Sequence, residues 1–248
     1  MTVYRVGIAR RPSGDVEAWC HELPGCRAVA GSMEAVEALI PVAINEYLGW
    51  LDRHKALPAG AYPVEYSIVE DISPAGEWVF KAEHEPISRD EVALASQYVT
   101  FAHEDLMLVT GVLTDTVLDW KPPASAVKID AIFPDVRSIR EMMQHVATAL
   151  SFHIAGIGDV VTRVPSPADR FNLQGAYEVT VKRLAALTDE ERSGKAYVLK
   201  TARGETEWTA RKSLRRIINH QRFHTKEIEQ RLSWLLLGVP DVLPVARE

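Results

Sequence analysis

The sequence predicts an α+β N-terminal module, ordered β-β-β-α-β, followed by an all-α four-helix bundle. Three observations carry this. Residues 1–72 alternate apolar and polar side chains at the two-residue period of strands, around a single stretch with helical spacing. Further on, Ser88, Ser138 and Ser166 each open a helix start signal ahead of an apolar stripe. The composition is that of a folded chain: 248 residues, 47% hydrophobic and 25% charged, enough for one large domain or two small ones.

The elements follow in order. Tyr4 to Ala9 alternates and Gly14 supplies a turn. Val16 to His21 returns, with Val16, Ala18 and Cys20 on one face and Glu17, Trp19 and His21 on the other. Leu23-Pro24-Gly25-Cys26 breaks that strand, because proline lacks the ladder donor and glycine permits positive φ. Arg27 to Ala30 makes a third strand. Ser32 then caps a helix holding Val36, Leu39, Ile40, Ala43, Tyr47, Leu48 and Leu51 on one stripe. Pro58 and Gly60 stop it, and Tyr62 to Val69 reads as a fourth strand.

Residues 73–88 turn to Pro, Gly and acidic residues around Trp78-Val-Phe80, and read as a linker between a module at 1–72 and a bundle at 89–248. Ser88 with Glu91, and Ser138 with Glu141, are capping boxes, and Ser166-Pro167-Ala-Asp169 sets a cap before a first-turn proline. Helices are predicted near 89–118, 138–157 and 167–187, with a fourth from Thr206–Thr209 to Leu237. Pro122-Pro123 and Pro134 mark a long connection between the first two, and everything past residue 89 reads as helical.

Charge divides the same way. Residues 1–89 carry 8 basic and 13 acidic side chains, the rest 20 and 21, for a total of −6. That balance argues against nucleic acid as a partner. Two cysteines, Cys20 and Cys26, form no disulfide framework and match no zinc spacing, which suits a reduced, cytoplasmic chain. The densest apolar run, Leu232 to Val239, falls well short of the roughly 20 residues that span a bilayer.

Of eight histidines, His220 and His224 stand out, because i,i+4 spacing puts two imidazoles on one helix face. With Leu214 as zero and 100° per residue, they fall at about 240° and about 280°, on one flank of the core stripe. With Ile139 as zero, His145 falls at about 240°, the same flank of the 138–157 helix. Three imidazoles on the shoulders of two helices are candidates for one metal. His153 reads as core, His103 as a weaker candidate, and His21, His54 and His84 as ordinary. Glu227, three residues past His224, lies at about 220° and is the candidate catalytic base or ligand-orienting acid.

The stretch Glu207 to Ile228 around Asn-His220-Gln-Arg-Phe-His224 resembles the last helix of the DinB-like superfamily. Ser138-Ile-Arg-Glu-Met-Met-Gln-His145 resembles its second helix, and Leu118-Asp-Trp-Lys-Pro-Pro123 the segment before it. The resemblance spans roughly residues 90–237. It implies a metal-binding four-helix bundle whose ligands are His145, His220 and His224. It implies a divalent ion, zinc or nickel first, with manganese or iron also fitting the ligand set. It also implies a thiol-dependent transferase or a hydrolase, with a low-molecular-weight thiol as cofactor or substrate and homodimers among its members. Gln221 stands where many relatives carry an acid.

Residues 1–70 are similar to a second family. Trp19-Cys-His-Glu-Leu-Pro-Gly-Cys26 and the following Ala30-Gly-Ser-Met-Glu-Ala-Val-Glu-Ala-Leu resemble the HicB-like antitoxin domain. That likeness implies a module that binds a protein partner. The expected function is therefore a divalent-metal-dependent enzyme, transferase or hydrolase. The alternative is a non-catalytic binding or antitoxin-like regulatory protein, its N-terminal module holding a partner and its bundle a scaffold.

Overall fold

The computed structural model describes residues 2–122, 136–158, 173–201 and 204–237. It opens on a mixed four-stranded sheet and continues mostly as helices. Strands β1 (Val3–Arg10), β2 (Val16–Cys20) and β3 (Arg27–Ala30) form an antiparallel meander. Helix α1 (Met33–Arg53) crosses over to β4 (Glu65–Ile72), which pairs parallel with β1 and gives the order β3-β2-β1-β4. Ser32 caps α1 by accepting from the Ala35 N–H at 3.2 Å. The fourth strand starts three residues later than its expected Tyr62.

Both faces of the sheet are covered. On one, Tyr4, Val6, Ile8, Val16, Ala18 and Cys20 meet Val36, Ile40 and Ile44 of α1. On the other, Ala9 and Trp19 meet Trp78 and Phe80, so the Pro- and Gly-rich segment after residue 72 folds back as a lid on the sheet. This is why β2 is buried at every position rather than at alternate ones.

Helix α2 (Arg89–Thr110) packs on α5 (Leu173–Ala185) and α6 (Ala210–Leu237), and α4 (Ile139–Ala155) packs on the same two. Two expectations change here, and a third falls outside the described residues. The helix expected at 89–118 ends at Thr110, where Gly111 caps it, and a separate short helix α3 (Asp115–Asp119) follows. The break lets Asp115 and Asp119 both receive Arg140 of α4, at 2.6 and 2.7 Å. The start signal at Ser166–Asp169 lies outside the described residues, as do Pro123 and Pro134. The chain past residue 89 is also not wholly helical: β5 (Tyr197–Thr201) and β6 (Gly204–Trp208) form an antiparallel hairpin before α6. The apolar run in its first strand, residues 196–199, is too short to assign by period, Lys200, Glu205 and Glu207 interrupt the rest, and Tyr197 and Trp208, 8% and 1% exposed, are its buried side chains. No described helix is long and apolar enough to cross a membrane.

Helix α6 joins the sheet region to the helices. Arg222 lies over the rings of Tyr47 and Trp50 at 4.2 and 4.3 Å, and Lys226 pairs with Glu46 at 2.6 Å. Gly25, at φ +93°, sits so close that a Cβ there would stand 2.8 Å from the Asn219 backbone nitrogen. Gly25→Ala therefore combines a backbone conformation costing on the order of 1 kcal/mol with a clash against helix backbone. We expect a loss of about 2–4 kcal/mol in urea denaturation, and a change under 0.5 kcal/mol would show that the junction yields.

Candidate metal centre

Two helices bring the three histidines together. Helix α4 begins at a complete capping box: the Ser138 hydroxyl accepts from the Glu141 N–H at 3.2 Å, and the Glu141 carboxylate accepts from the Ser138 N–H at 2.7 Å. That start fixes the register in which Met142, Val146, Leu150 and Ile154 face the core, leaving His145 on the flank. On α6, Leu214, Ile217, Ile218 and Ile228 are buried in the same core, and His220 and His224 occupy the flank toward α4.

The ring of His145 lies 4.7 Å from that of His220 and 5.1 Å from that of His224, and the latter two are 4.6 Å apart. One nitrogen from each ring lies within 4.8 Å of the others. Around a tetrahedral ion, nitrogens at about 2.1 Å from the metal stand about 3.4 Å apart, a contraction that small rotations of the rings supply.

The protonation states suit the same role. Burial first, then the neighbouring His224 and Arg137, push His145 down to about 3, with Glu227 opposing. Burial likewise holds His220 well below the ordinary histidine value, reinforced by His224, His153 and His145. These two rings are neutral at pH 7, with a lone pair each to donate. The buried Nε2 of His220 has no hydrogen-bond partner, as expected of a nitrogen whose partner is an ion.

Glu227 lies where the helical spacing puts it, and its Oε2 stands 2.5 Å from His224 Nδ1. Burial alone would raise this carboxyl, but the His224 hydrogen bond, His224's charge, Arg231 and Arg137 together hold it below the usual range. Accepting from Nδ1–H leaves His224 Nε2 as the donor toward the cluster, the arrangement by which a carboxylate orients a ligating imidazole. Glu227→Ala is expected to weaken metal binding about 10- to 100-fold in competition with a chromophoric chelator. An unchanged affinity would mean that the bond to His224 is incidental.

The other histidines lie elsewhere or one layer out. His103 Nε2 donates to Gln174 Oε1, 2.9 Å away, and its ring stacks on Tyr177. His54 meets Asp105 at 3.2 Å, and His21 packs edge-on to Phe80. Gln221 is fully buried and turns toward α2, its amide 3.5 Å from the Val99 carbonyl.

Two residues near the cluster escaped the sequence reading. His153, expected to be core, is indeed 6% exposed, but both its nitrogens lack a partner and its ring lies 5.6 Å from His220. Arg231 is 5% exposed and donates to the backbone carbonyl of Arg137. A signal existed for Arg231: residues 220, 224, 227 and 231 form an i, i+4, i+7, i+11 series, one continuous helix stripe.

Fold and site together define a class: a mixed sheet followed by helices, with three imidazoles converging between two of them. Comparison with protein-family models, curated proteins and solved structures gives no match for this chain.

Proposed function

We propose that the chain is a divalent-metal-dependent enzyme of the DinB-like kind, a thiol-dependent transferase or a hydrolase. In this reading α2, α4, α5 and α6 are the four-helix bundle, and His145, His220 and His224 hold the ion. Zinc or nickel suits three imidazoles best, and manganese or iron fits the same set. The observation that carries the proposal is the convergence of one nitrogen from each of these three side chains within 4.8 Å, from two helices far apart in the chain. Spacing along one helix brings two imidazoles together by chance; a third from another helix on the same point is far more restrictive.

An ion on three neutral imidazoles supplies a Lewis acid with open positions, able to lower the pKa of a bound thiol or water toward 7. The chain's own contribution is to keep His145 and His220 unprotonated by burial and to fix His224 through Glu227.

Elemental analysis of protein purified without a histidine tag tests the reading. We expect about one divalent ion per chain, reduced at least tenfold in His145→Ala. Stoichiometric metal retained in His145→Ala overturns the ligand assignment.

A further inference from the structure

A cavity of about 200 Å³ lies where the sheet, residues 82–87, α2 and α6 meet. None of His145, His220 and His224 lines it. Its α6 residues Arg211, Leu214 and Arg215 fall at about 60°, 0° and about 100° on the helical scale that puts His220 and His224 at about 240° and about 280°. The cavity therefore faces the opposite side of α6 from the metal centre.

Much of its wall is apolar. Ile87, Ala95, Tyr98 and Leu214 are each 5% exposed or less, and the half-exposed Leu94 extends this surface toward solvent. Three guanidiniums and four carboxylates line the same space, and every guanidinium is paired. Arg5 bonds Glu22 at 2.7 Å and Glu85 at 2.8 Å, Arg211 bonds Glu91 at 2.8 Å, and Arg215 bonds Glu83 at 2.6 Å. Burial lowers His21 from the ordinary histidine value, so that ring adds no charge at pH 7. The lining carries one more negative than positive charge, and an entering anion finds no free counter-charge.

Hydrogen-bonding capacity is left over all the same. Arg215 gives Nε and Nη2 to Glu83, while its buried Nη1 has no hydrogen-bond partner among the described residues. Trp19, whose ring lies 4.3 Å from that guanidinium, offers a π face rather than a lone pair. His21, which also lines the cavity, has a buried Nε2 without a partner. A buried donor without an acceptor is costly, and a neutral acceptor removes that cost without adding charge. An ammonium group brings only donors of its own.

We propose that this cavity is a binding site for a small uncharged molecule with an apolar body and a carbonyl or amide oxygen. The oxygen accepts from Arg215, and the body packs on Ile87, Leu94, Ala95 and Leu214. The site is independent of the metal reading.

Titration of the full chain with benzamide, benzoate, benzylamine and toluene, followed by two-dimensional amide NMR, tests this. The four probes are of similar size. Benzamide is expected to bind at least tenfold more tightly than any of the others: toluene lacks the acceptor, benzoate adds to the acid excess and benzylamine brings a donor. The shifts it causes should centre on residues 82–98 and 211–215. No binding of benzamide, a preference below tenfold, or shifts centred elsewhere overturns the proposal. Ala95→Leu puts a larger side chain into the open space and is expected to weaken benzamide at least tenfold. Undiminished binding in folded Ala95→Leu also overturns it. Should that variant not fold, the order of the probes and the shift map in wild type decide.

Discussion

Lowering the pH from 7 to 5 is expected to destabilise the metal-free protein by several kcal/mol, within the range where ordinary histidines titrate. Burial depresses His145 to about 3 and holds His153 and His220 well below the ordinary value. The unfolded chain takes up a proton at each of these near pH 6.5 while the folded chain does not, so the unfolded state binds more protons. Stability from each ring is therefore complete above pH 6.5 and lost as pH falls below it, for His145 until about 3. The ceiling is about 1.4 kcal/mol per pH unit for each histidine. Urea midpoints between pH 7 and 5 measure it, above the ordinary carboxylate range. His153→Phe should remove about a third of the slope, since an aromatic ring fills the space without a titrating nitrogen. Saturating metal should flatten the scan, because it binds the folded state alone. A midpoint that does not move in metal-free protein would show that these rings are not held neutral by the fold.

The second large effect is expected at Glu83→Ala. Glu83 and Arg215 bond at 2.6 Å with side chains 4% and 5% exposed, and Arg215 also lies over the ring of Trp19 at 4.3 Å. Removing the acid leaves a guanidinium sealed beneath the lid segment without its counter-charge, at a cost of about 3–5 kcal/mol. The double replacement Glu83→Leu with Arg215→Met should recover most of that loss, since apolar groups of similar volume replace a buried pair with little net change. Denaturation of the three proteins checks both expectations. A loss below 1 kcal/mol for Glu83→Ala would mean that water reaches the arginine.

This pair also marks a limit of sequence reading. Residues 73–88 look like a tether because proline, glycine and acidic residues dominate them. Folded, Trp78 and Phe80 cover the second face of the sheet, and Glu83 reaches α6. Neither partner of a long-range ion pair announces the other locally, so the segment's packing was invisible in its composition. The β5–β6 hairpin was hidden for a related reason: its buried side chains are one cross-strand pair, Tyr197 and Trp208, rather than a periodic stripe.

The meander, its Leu-Pro-Gly turn, the capped starts of α1, α2 and α4, and the flank positions of His145, His220, His224 and Glu227 were all written in local spacing. Caps and helical angles act within a few residues, so one stretch of chain determines them. Which flank of α4 meets which flank of α6 was decided only by tertiary packing, because nothing within either helix specifies the other's rotation. That packing turned three histidines into one cluster, left His153 beside it without a hydrogen-bond partner, and buried Arg231 on the same stripe against the Arg137 carbonyl.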